Sequence, residues 1–468
     1  MEATTQSGSE RLDAIVIGTG QGGKPLAADL ARAGWRAAII EKGRVGGTCV
    51  IAGCTPTKTM LASARIAHLA RRAAEYGVET GPVSVDLEAV RQLKRRIVDQ
   101  WSEGSQKGLE RHAKLELIFG KARFVDTREI EVALADGGTR RLTSDHIFLN
   151  VGGRPRIPAI EGLETVPYLT STSIMELDQV PDHLLVLGGG FVGLEFGQMF
   201  RRFGAEVTIV QKGPTLIPRE DQDVSEAMRE IFENEGVRVL TESEAVSVRP
   251  GPSGIDLQVQ AGGEATVLSG SHLLVSAGRT SNADLLHLEA TGLVADERGW
   301  IPVNERCETA VEGIWALGDV TGGPPFTHTA YDDYRVIRAN LLEGEPRTTT
   351  DRLLPYVVFT DPQLGRVGLT EREAREKGHD VRVAKLPMSR VARAIEVNET
   401  LGFMKAVVDT STKRILGASI LGLEGGEVVS VLQMAMMGDL PYTVLRDAVI
   451  AHPTLAESLN NLFMALDD

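Results

Sequence analysis

Cysteine is scarce in this sequence, since Cys49, Cys54 and Cys307 are the only three among 468 residues. Three cysteines are too few for the disulfide framework of a secreted protein. In a reducing compartment, a close pair is more often catalytic or metal-binding than structural. Cys307 has no partner nearby in the sequence. The adjacent Arg306 is a weak argument for a reactive thiolate, and we interpret Cys307 as structural.

Long apolar runs and an excess of positive charge are also missing. No stretch reaches the ~18 uncharged apolar residues that a membrane helix needs, and the first twelve residues lack the apolar core of a signal peptide. We therefore expect a cytoplasmic protein with no membrane partner. The 50 basic residues stand against 64 acidic ones, giving a formal net charge of −14. This balance argues against a nucleic-acid partner.

Glycine, by contrast, is abundant, with 50 residues in the chain against the usual ~7 %. No tract is repetitive, so the excess belongs in tight turns and close backbone approaches. The length suggests about three domains, and 42 % hydrophobic residues are ample for a large core.

The first glycine-rich turn lies between two short apolar runs, 14–17 and 37–40. Its glycines follow the spacing GxGxxG: Gly18, Gly20 and Gly23. A helix is predicted from about 24 to 33, and the second strand ends in Glu41. In this order, the glycines admit a pyrophosphate at the helix N-terminus and the acid accepts ribose hydroxyls. The segment predicts a dinucleotide site.

The same pattern recurs after the apolar run 184–187, with Gly188, Gly190 and Gly193, a helix to about 203 and a strand 207–210. Gly18 precedes Glu41 by 23 positions, and Gly188 precedes Gln211 by the same number. Two dinucleotide sites indicate hydride transfer between a nicotinamide and a flavin. Because neutral Gln211 replaces the acid that repels a 2′-phosphate, we predict that NADPH is preferred or accepted.

A third apolar run, 313–317, ends in Gly318 and Asp319. An ordinary strand and turn explain this pattern as well as an aspartate held at a strand end, where α/β proteins bind ligands.

The segment 46–58 contains the cysteine pair, with four residues between Cys49 and Cys54. This distance permits a disulfide across one loop turn. Pro56 suits the first turn of a helix, which puts Cys54 at a helix N-terminus that favours a thiolate, with Lys58 adding positive charge. The alternatives are a metal site or two buried thiols. Zinc needs four ligands, and no other Cys or His cluster lies near, so redox catalysis is the preferred interpretation.

Together these residues resemble the flavoprotein disulfide reductases, the family of dihydrolipoamide dehydrogenase, glutathione reductase and mercuric reductase. The resemblance extends over about residues 13–464, and the sequence around the cysteines is most similar to mercuric reductases and their bacterial relatives. It implies an α/β fold of two Rossmann-like domains, for FAD and NAD(P)H, the second inserted in the first, and a C-terminal α+β dimerisation domain. The implied segments are 1–152 and 280–350 for FAD, 153–279 for NAD(P)H and 351–468 for the interface.

The resemblance also implies the cofactor ligands. FAD would be bound through Gly18, Gly20, Gly23, Glu41, Lys58, Gly318 and Asp319. NADPH (or NADH) would be bound through Gly188, Gly190, Gly193, Gln211 and Gly278. Segments 150–153 and 277–279 match the two crossover strands between the domains, although the first departs from the family's Ala-Thr-Gly.

Catalytic roles follow from the same resemblance. Cys54 would form a thiolate against the flavin, and Cys49 would be the exposed interchange thiol that meets substrate. Lys58 would pair with Glu195 near flavin N5.

The C-terminal segment matches the family's interface domain, with the landmark Phe359-Thr360-Asp361-Pro362. His452, before Pro453, would be the general base toward the cysteine of the other subunit, with Glu457 orienting the imidazole. A homodimer is therefore implied, and a cis peptide bond is expected at 452–453.

The sequence leaves three functions open. The first is a mercuric-reductase-like enzyme that passes electrons from NAD(P)H through FAD to the Cys49–Cys54 disulfide and on to a small-molecule disulfide or soft metal ion. This chain lacks the C-terminal cysteine pair of mercuric reductases, because no cysteine follows Cys307. The second is a dihydrolipoamide dehydrogenase that oxidises a lipoyl protein with NAD. The third is a slow flavoprotein redox sensor or binding subunit.

Overall fold

The structure is a computed structural model that describes residues 9–467, and its chain divides into two compact units. The first unit comprises the chain up to Thr59, Ala89–Arg156 and Gly278–Arg352. The second comprises Met60–Glu88, Ile157–Ala277 and the chain from Leu353. The segment Ile157–Ala277 thus interrupts the first unit, in agreement with an inserted domain, while the finer predicted boundaries stay predictions.

The helices of the described chain are, in order, α1 Gly23–Arg32, α2 Gly47–Ile51, α3 Cys54–Arg71, α4 Leu87–Glu110, α5 Phe191–Phe203, α6 Gln222–Asn234, α7 Thr327–Arg338, α8 Glu371–Glu376, α9 Ala392–Glu396, α10 Gly425–Met437, α11 Tyr442–Asp447 and α12 Ser458–Met464. Helix α8 begins with a capping box, in which Thr370 and Glu373 satisfy each other's backbone N–H groups. Within residues 9–467, no helix is both long and apolar enough to cross a membrane.

The strands are β1 Glu10–Arg11, β2 Ala14–Ile17, β3 Ala37–Glu41, β4 Leu115–Asp126, β5 Glu129–Leu134, β6 Thr139–Thr143, β7 Ile147–Leu149, β8 Gly153–Pro155, β9 Tyr168–Leu169, β10 His183–Leu187, β11 Glu206–Val210, β12 Arg238–Leu240, β13 Ser243–Gly251, β14 Gly254–Ala261, β15 Glu264–Gly270, β16 His272–Val275, β17 Arg279–Ser281, β18 Ile314–Ala316, β19 Tyr356–Val358, β20 Gln363–Gly368, β21 Val381–Pro387, β22 Phe403–Asp409 and β23 Ile415–Gly422.

The first unit is built on a sheet in the order β1-β6-β5-β4-β3-β2-β7-β18. Its central strands, from β4 to β18, run parallel. Strands β2, β3 and β7 are buried along their whole length, as expected for a parallel sheet that is covered on both faces. This burial explains the uninterrupted apolar runs in the sequence.

The second unit contains a parallel sheet, β12-β11-β10-β16-β9, that repeats the strand–turn–helix–strand plan of the first. An antiparallel sheet, β13-β14-β15, belongs to the same inserted segment. The C-terminal part is an antiparallel sheet, β19-β20-β23-β22-β21, whose core packs with α10, α11 and α12. The predicted α/β class, with two Rossmann-like sheets and a C-terminal α+β part, is confirmed.

The predicted crossover segments meet in a two-stranded antiparallel ribbon, β8 with β17. Arg154 ties this ribbon to Asp284 through two hydrogen bonds of 2.8 and 2.7 Å. The ribbon shares Gly153 and Arg279 with the two predicted crossover segments.

Candidate active site

The cysteine pair lies at the start of α3. Cys54 is the first residue of this helix, and Cys49 lies in the middle of the short helix α2. The structure holds both as thiols, joined by a hydrogen bond between their side chains. The Sγ of Cys54 also lies 3.4 Å from the Oγ1 of Thr327, the first residue of α7. A helix N-terminus stabilises a negative sulfur, so the pair can keep a thiolate at Cys54.

The proton of the pair belongs to Cys49. The hydrogen bond with Cys54 raises the pKa of Cys49, and burial and the negative charge of Cys54 raise it further. The hydroxyl of Thr327 and the ammonium of Lys24 lower the same pKa. The electrostatics of the site therefore favour a Cys49 thiol beside a Cys54 thiolate.

Two details differ from the sequence-based expectation. The cysteines are not joined by a simple loop turn, because residues 47–51 form α2. Cys49, expected to be the exposed thiol, is half-buried, whereas Cys54 is exposed. The helix α2 packs on the first glycine turn, since a Cβ on Gly47 would lie only 2.6 Å from the Cα of Gly20.

The first glycine turn has the geometry of a dinucleotide loop. A Cβ on Gly23 would lie 2.4 Å from the carbonyl oxygen of Gly18, so this helix can approach its strand only with glycine. Glu41 ends β3 and accepts hydrogen bonds from the backbone N–H groups of Thr19 and Gly43, at 3.1 and 2.9 Å. Its carboxylate has further lone pairs for ribose hydroxyls.

Asn150 explains the departure from the family's Ala-Thr-Gly. Its Oδ1 accepts from the N–H of Gly23 at 2.9 Å, and its Nδ2 donates to the carbonyl oxygen of Leu317 at 2.8 Å. A Cβ on Gly20 would lie 2.4 Å from the same Oδ1. The side chain therefore joins the glycine turn to the strand that precedes Asp319.

Asp319 lies in a short 3₁₀ helix, Gly318–Thr321, directly after β18. Burial raises the pKa of Asp319, and Arg279, whose Nη2 is 3.4 Å from its Oδ2, opposes this shift. The Gly318 N–H donates to Asp333 at 2.8 Å. This half-buried acid lies at the carboxyl end of the parallel sheet, where α/β proteins bind ligands. Its position favours an aspartate held for ligand binding over an ordinary strand and turn.

The second glycine turn repeats the first. A Cβ on Gly193 would lie 2.0 Å from the carbonyl oxygen of Gly188, which is again a helix–strand approach that only glycine allows. A Cβ on Gly190 would meet no protein atom within 4 Å. Protein packing therefore does not require glycine there, but the approach of a pyrophosphate to α5 does.

Gln211 occupies the position equivalent to Glu41. Its Oε1 accepts from the N–H of Gly189 at 2.9 Å, much as Glu41 accepts from Thr19. The next residue, Lys212, is largely exposed and forms an ion pair of 2.6 Å with Glu244. The cation that could attract a 2′-phosphate is thus already paired with a carboxylate.

Glu195 is buried on α5 and accepts a hydrogen bond from the N–H of Phe359 at 2.9 Å. One turn later, Gln198 makes two hydrogen bonds of 2.8 Å with the backbone of Asp361. Two turns later, Arg202 contacts the Asp361 carboxylate at 2.6 Å. These contacts hold the landmark segment 359–362 against α5, the helix that carries Glu195, and we call them the clamp. Lys58 and Glu195 belong to different units, and their pairing stays a prediction.

The Asp361 carboxylate supports a stability prediction. Burial raises its pKa, but Arg202 and Arg65 outweigh burial and hold the pKa below its usual value. The ion pairs therefore stabilise the fold above the unfolded pKa of ~3.9 and are lost as pH falls through the folded value. We expect Asp361→Asn to lower the free energy of unfolding by about 3 kcal/mol at pH 7, and by less at pH 3.

Thermal unfolding at the two pH values measures this effect. Glu233→Gln, which removes an exposed helix pair with Arg229, is the control and should cost less than ~1 kcal/mol. Equal losses for the two variants at pH 7 would contradict the clamp.

His452 and Glu457 lie together in the turn before α12. The Nδ1 of His452 is 2.8 Å from a carboxylate oxygen of Glu457, and the imidazole is largely exposed. Thr454 holds the turn, because its hydroxyl donates to the Ala451 carbonyl at 2.8 Å and accepts from the Glu457 N–H at 3.1 Å. The carboxylate fixes the tautomer that leaves Nε2 to act as a base. The 452–453 peptide bond is cis, as predicted, and so is 361–362.

Cys307 is 2 % exposed and packs in the apolar core of the first unit. Burial raises the pKa of its thiol, and nearby Asp333 raises it further. The burial of Cys307 supports the structural interpretation, which stays a prediction.

The sequence analysis included Asn150 and Asp361 only as members of recognised segments and did not single out Lys24, Gln198, Arg202 or Thr327, although the structure brings all six to these sites. One signal was available, since Glu195, Gln198 and Arg202 share one face of a largely apolar helix that also carries Arg201. Among residues 9–467, no group of three or more His, Cys, Asp or Glu side chains is arranged to hold a metal ion.

Comparison with known proteins identifies the family. The family model described as pyridine nucleotide-disulphide oxidoreductase matches residues 12–333, and that of its dimerisation domain matches residues 354–463. Among curated proteins, the chain is 38 % identical to the probable pyridine nucleotide-disulfide oxidoreductase RclA of Escherichia coli, covering 97 % of this chain and 99 % of RclA. It is 34 % identical to a mercuric reductase of Staphylococcus aureus, covering 97 % and 82 %.

Two further relatives support the same family. The mitochondrial dihydrolipoyl dehydrogenase of Pisum sativum is 32 % identical, with 99 % of this chain and 93 % of the relative covered. A solved structure of E. coli RclA as a Cu(II) complex, titled an HOCl-induced flavoprotein disulfide reductase, matches with a TM-score of 0.89 at 36 % identity over 97 % of this chain and 99 % of that one. The chain therefore belongs to the pyridine nucleotide-disulphide oxidoreductase family, whose members depend on FAD and take electrons from a pyridine nucleotide.

Proposed function

We propose that this protein is an FAD-dependent NAD(P)H oxidoreductase that passes electrons to the Cys49–Cys54 pair and on to a disulfide or a soft metal ion. The observation that carries the proposal is the thiol pair itself, hydrogen-bonded at the N-terminus of α3. Two thiols within hydrogen-bond distance of each other are placed to alternate between dithiol and disulfide.

The two glycine turns fit two dinucleotides, FAD at the turn with Glu41 and Asp319 and the nicotinamide nucleotide at the turn with Gln211. When bound, FAD would supply the redox chemistry of this site, accepting a hydride from the nicotinamide and passing two electrons on to the cysteine pair. Gly23 and Gly193 let each helix N-terminus face a pyrophosphate. Asp319 and Arg279 offer hydrogen bonds at the sheet edge.

Electron balance sets what the cysteines can do. Two electrons and two protons convert the Cys49–Cys54 disulfide to a dithiol. The dithiol passes two electrons and two protons to one substrate disulfide, which becomes two thiols. Alternatively, it passes the two electrons to two Cu(II) ions, which become Cu(I), or to one Hg(II) ion, which becomes Hg(0), and releases the two protons to solvent. His452, held by Glu457, accepts the proton that Cys49 loses as it attacks.

We propose a soft or readily reduced metal ion, Cu(II) or Hg(II), as the first substrate class to test. Thiolates are preferred ligands of soft ions, and the similar E. coli RclA has been solved as a Cu(II) complex. Similarity to mercuric reductases supports the same class. Disulfides and lipoamide are the competing substrates, since dihydrolipoyl dehydrogenases are also relatives.

A substrate panel tests the proposal. We expect NAD(P)H oxidation to be stimulated at least tenfold by chelated Cu(II) or by Hg(II) with excess thiol, and this stimulation to vanish in Cys49→Ser. Cys307→Ser, at a buried cysteine outside the pair, is the matched control. Fast turnover with lipoamide alone would assign the protein to the dehydrogenases. Slow turnover on every substrate, together with a tight protein partner, would indicate a sensor.

The nucleotide site yields a separate prediction. We expect NADPH to be accepted, with kcat/KM no more than about tenfold below that for NADH. Glu244→Gln should raise kcat/KM for NADPH about three- to tenfold, because it frees Lys212 and removes a negative charge. The value for NADH should change less than twofold.

Lys212→Gln is the companion variant and should lower kcat/KM for NADPH in the Glu244→Gln background. A preference for NADH above about tenfold in the parent protein would refute the inference from Gln211, and an unchanged NADPH value in Glu244→Gln would refute the role of Lys212.

A further inference from the structure

The segment 212–220 leads from Gln211 to the start of α6 and packs on the second glycine turn. The backbone N–H of Ile217 donates to the Gly189 carbonyl at 2.9 Å. Gly213 lies against the Gln211 side chain, since a Cβ on Gly213 would be 2.9 Å from the Nε2 of Gln211. The segment therefore contacts both the glycine turn and the residue in the ribose-binding position.

Ile217 gives this segment a defined conformation. Its φ is 40°, in the left-handed region that β-branched residues avoid. A residue persists in such a conformation only where the surrounding structure fixes it. The Ile217 side chain is buried, and its carbonyl accepts from the Glu220 N–H at 2.9 Å. The conformation of the segment is thus fixed from both sides, at Gly189 and at Glu220.

The Glu220 carboxylate, which is 3 % exposed, contacts the C-terminal antiparallel sheet, β19-β20-β23-β22-β21. It accepts hydrogen bonds from the hydroxyl of Tyr356 on β19 and from that of Ser419 on β23, the latter at 3.3 Å. The guanidinium of Arg366 on β20 donates to the Ser419 hydroxyl at 2.7 Å and lies 3.9 Å from the carboxylate. A buried carboxylate requires hydrogen bonds and a compensating charge, and these three side chains provide both.

We propose that Glu220 is a positioning residue of the nucleotide site, which fixes segment 212–220 to the C-terminal sheet and thereby holds Gly189 and Gln211 in place. This inference rests on the proposed function, because it takes the second glycine turn as the site of the nicotinamide nucleotide. The apparent Kd of a ligand rises in inverse proportion to the fraction of protein in the binding conformation. Releasing segment 212–220 from the sheet should therefore weaken the binding of NADH and NADPH alike.

The test measures the nucleotide site without turnover. The FAD-loaded protein is titrated in a calorimeter with ADP-ribose and with its 2′-phosphate, neither of which carries a nicotinamide. We expect Glu220→Gln and Tyr356→Phe to raise Kd about five- to tenfold for both ligands. With ferricyanide as electron acceptor, KM for NADH and NADPH should rise by a similar factor. The kcat should stay within about twofold, as expected when binding alone is weakened.

Two control variants locate the effect. Asp223→Asn removes ion pairs of 2.8 and 3.0 Å between α6 and Lys385 and Lys405 of the C-terminal sheet. It lies beyond segment 212–220 and should change Kd less than about twofold. Gly190→Ala should fold normally but lose nucleotide binding. Its Cβ would meet no protein atom of the described chain within 4 Å, yet it would obstruct a pyrophosphate.

The combined results decide the matter. A raised Kd in Glu220→Gln and Tyr356→Phe, with Asp223→Asn unchanged, supports the inference. Unchanged values in the first two variants overturn it, and so do equal increases in all three. If Glu220→Gln does not fold, Tyr356→Phe, which removes a single hydroxyl, decides alone. If the parent protein binds neither ligand, or Gly190→Ala binds them fully, the nucleotide site of the proposed function is refuted and this inference with it.

Discussion

Cys54→Ser is expected to lower substrate reduction at least about 10³-fold, the largest effect of any single substitution considered. Without the Cys54 sulfur, the disulfide that receives electrons cannot form. The same variant should lose the long-wavelength absorption band that a thiolate gives beside oxidised flavin. Stopped-flow spectra during reduction by NAD(P)H measure the band, and steady-state assays measure turnover.

Cys49→Ser separates the two sulfurs. It should be as inactive as Cys54→Ser, yet show the long-wavelength band before any reductant is added, because Cys54 remains a thiolate at the N-terminus of α3. Cys307→Ser should resemble the parent protein in both respects. Wild-type disulfide or metal reduction by either variant of the pair would refute its assignment.

His452→Gln is expected to lower kcat about 10²- to 10⁴-fold, as loss of a general base does. Glu457→Gln keeps the shape of the turn but removes the charge 2.8 Å from the imidazole, and should cost more than about tenfold. Thr454→Val, which loosens the turn without touching the imidazole, should cost less than Glu457→Gln.

Mixed dimers test whether His452 serves the cysteine of the other subunit. A heterodimer of one Cys49→Ser and one His452→Gln subunit keeps one complete site if cysteine and base come from different chains. It then has about half of wild-type activity. If both groups come from one chain, each site carries one defect and the heterodimer is as inactive as its parents. Two affinity tags allow the heterodimer to be purified.

Local patterns explain why much of the site could be predicted from the sequence. The strand, glycine turn and helix around Gly18 lie within one short segment, as do the turn with His452 and Glu457 and the helix start at Cys54. In each case, the residues that act together are close in sequence and leave a recognisable spacing. The predicted contact of His452 with Glu457 is found at 2.8 Å.

The contacts that the sequence analysis did not predict join residues that are far apart in the sequence. Asn150 bonds to Gly23 and Leu317, 127 and 167 positions away, and Asp361 meets Arg202 across 159 positions. Such contacts follow from the packing of whole helices and strands. They cannot be inferred from the spacing of residues in a single sequence.

The central claim is that electrons from a reduced nicotinamide arrive at Cys49 and Cys54. Anaerobic addition of one equivalent of NADPH or NADH to the oxidised FAD-loaded protein, followed by rapid alkylation and peptide mapping, tests it most directly. The account predicts two newly alkylated thiols per chain, Cys49 and Cys54, with Cys307 unchanged. Consumption of the nucleotide with full bleaching of the flavin and no new thiol at either position would contradict it.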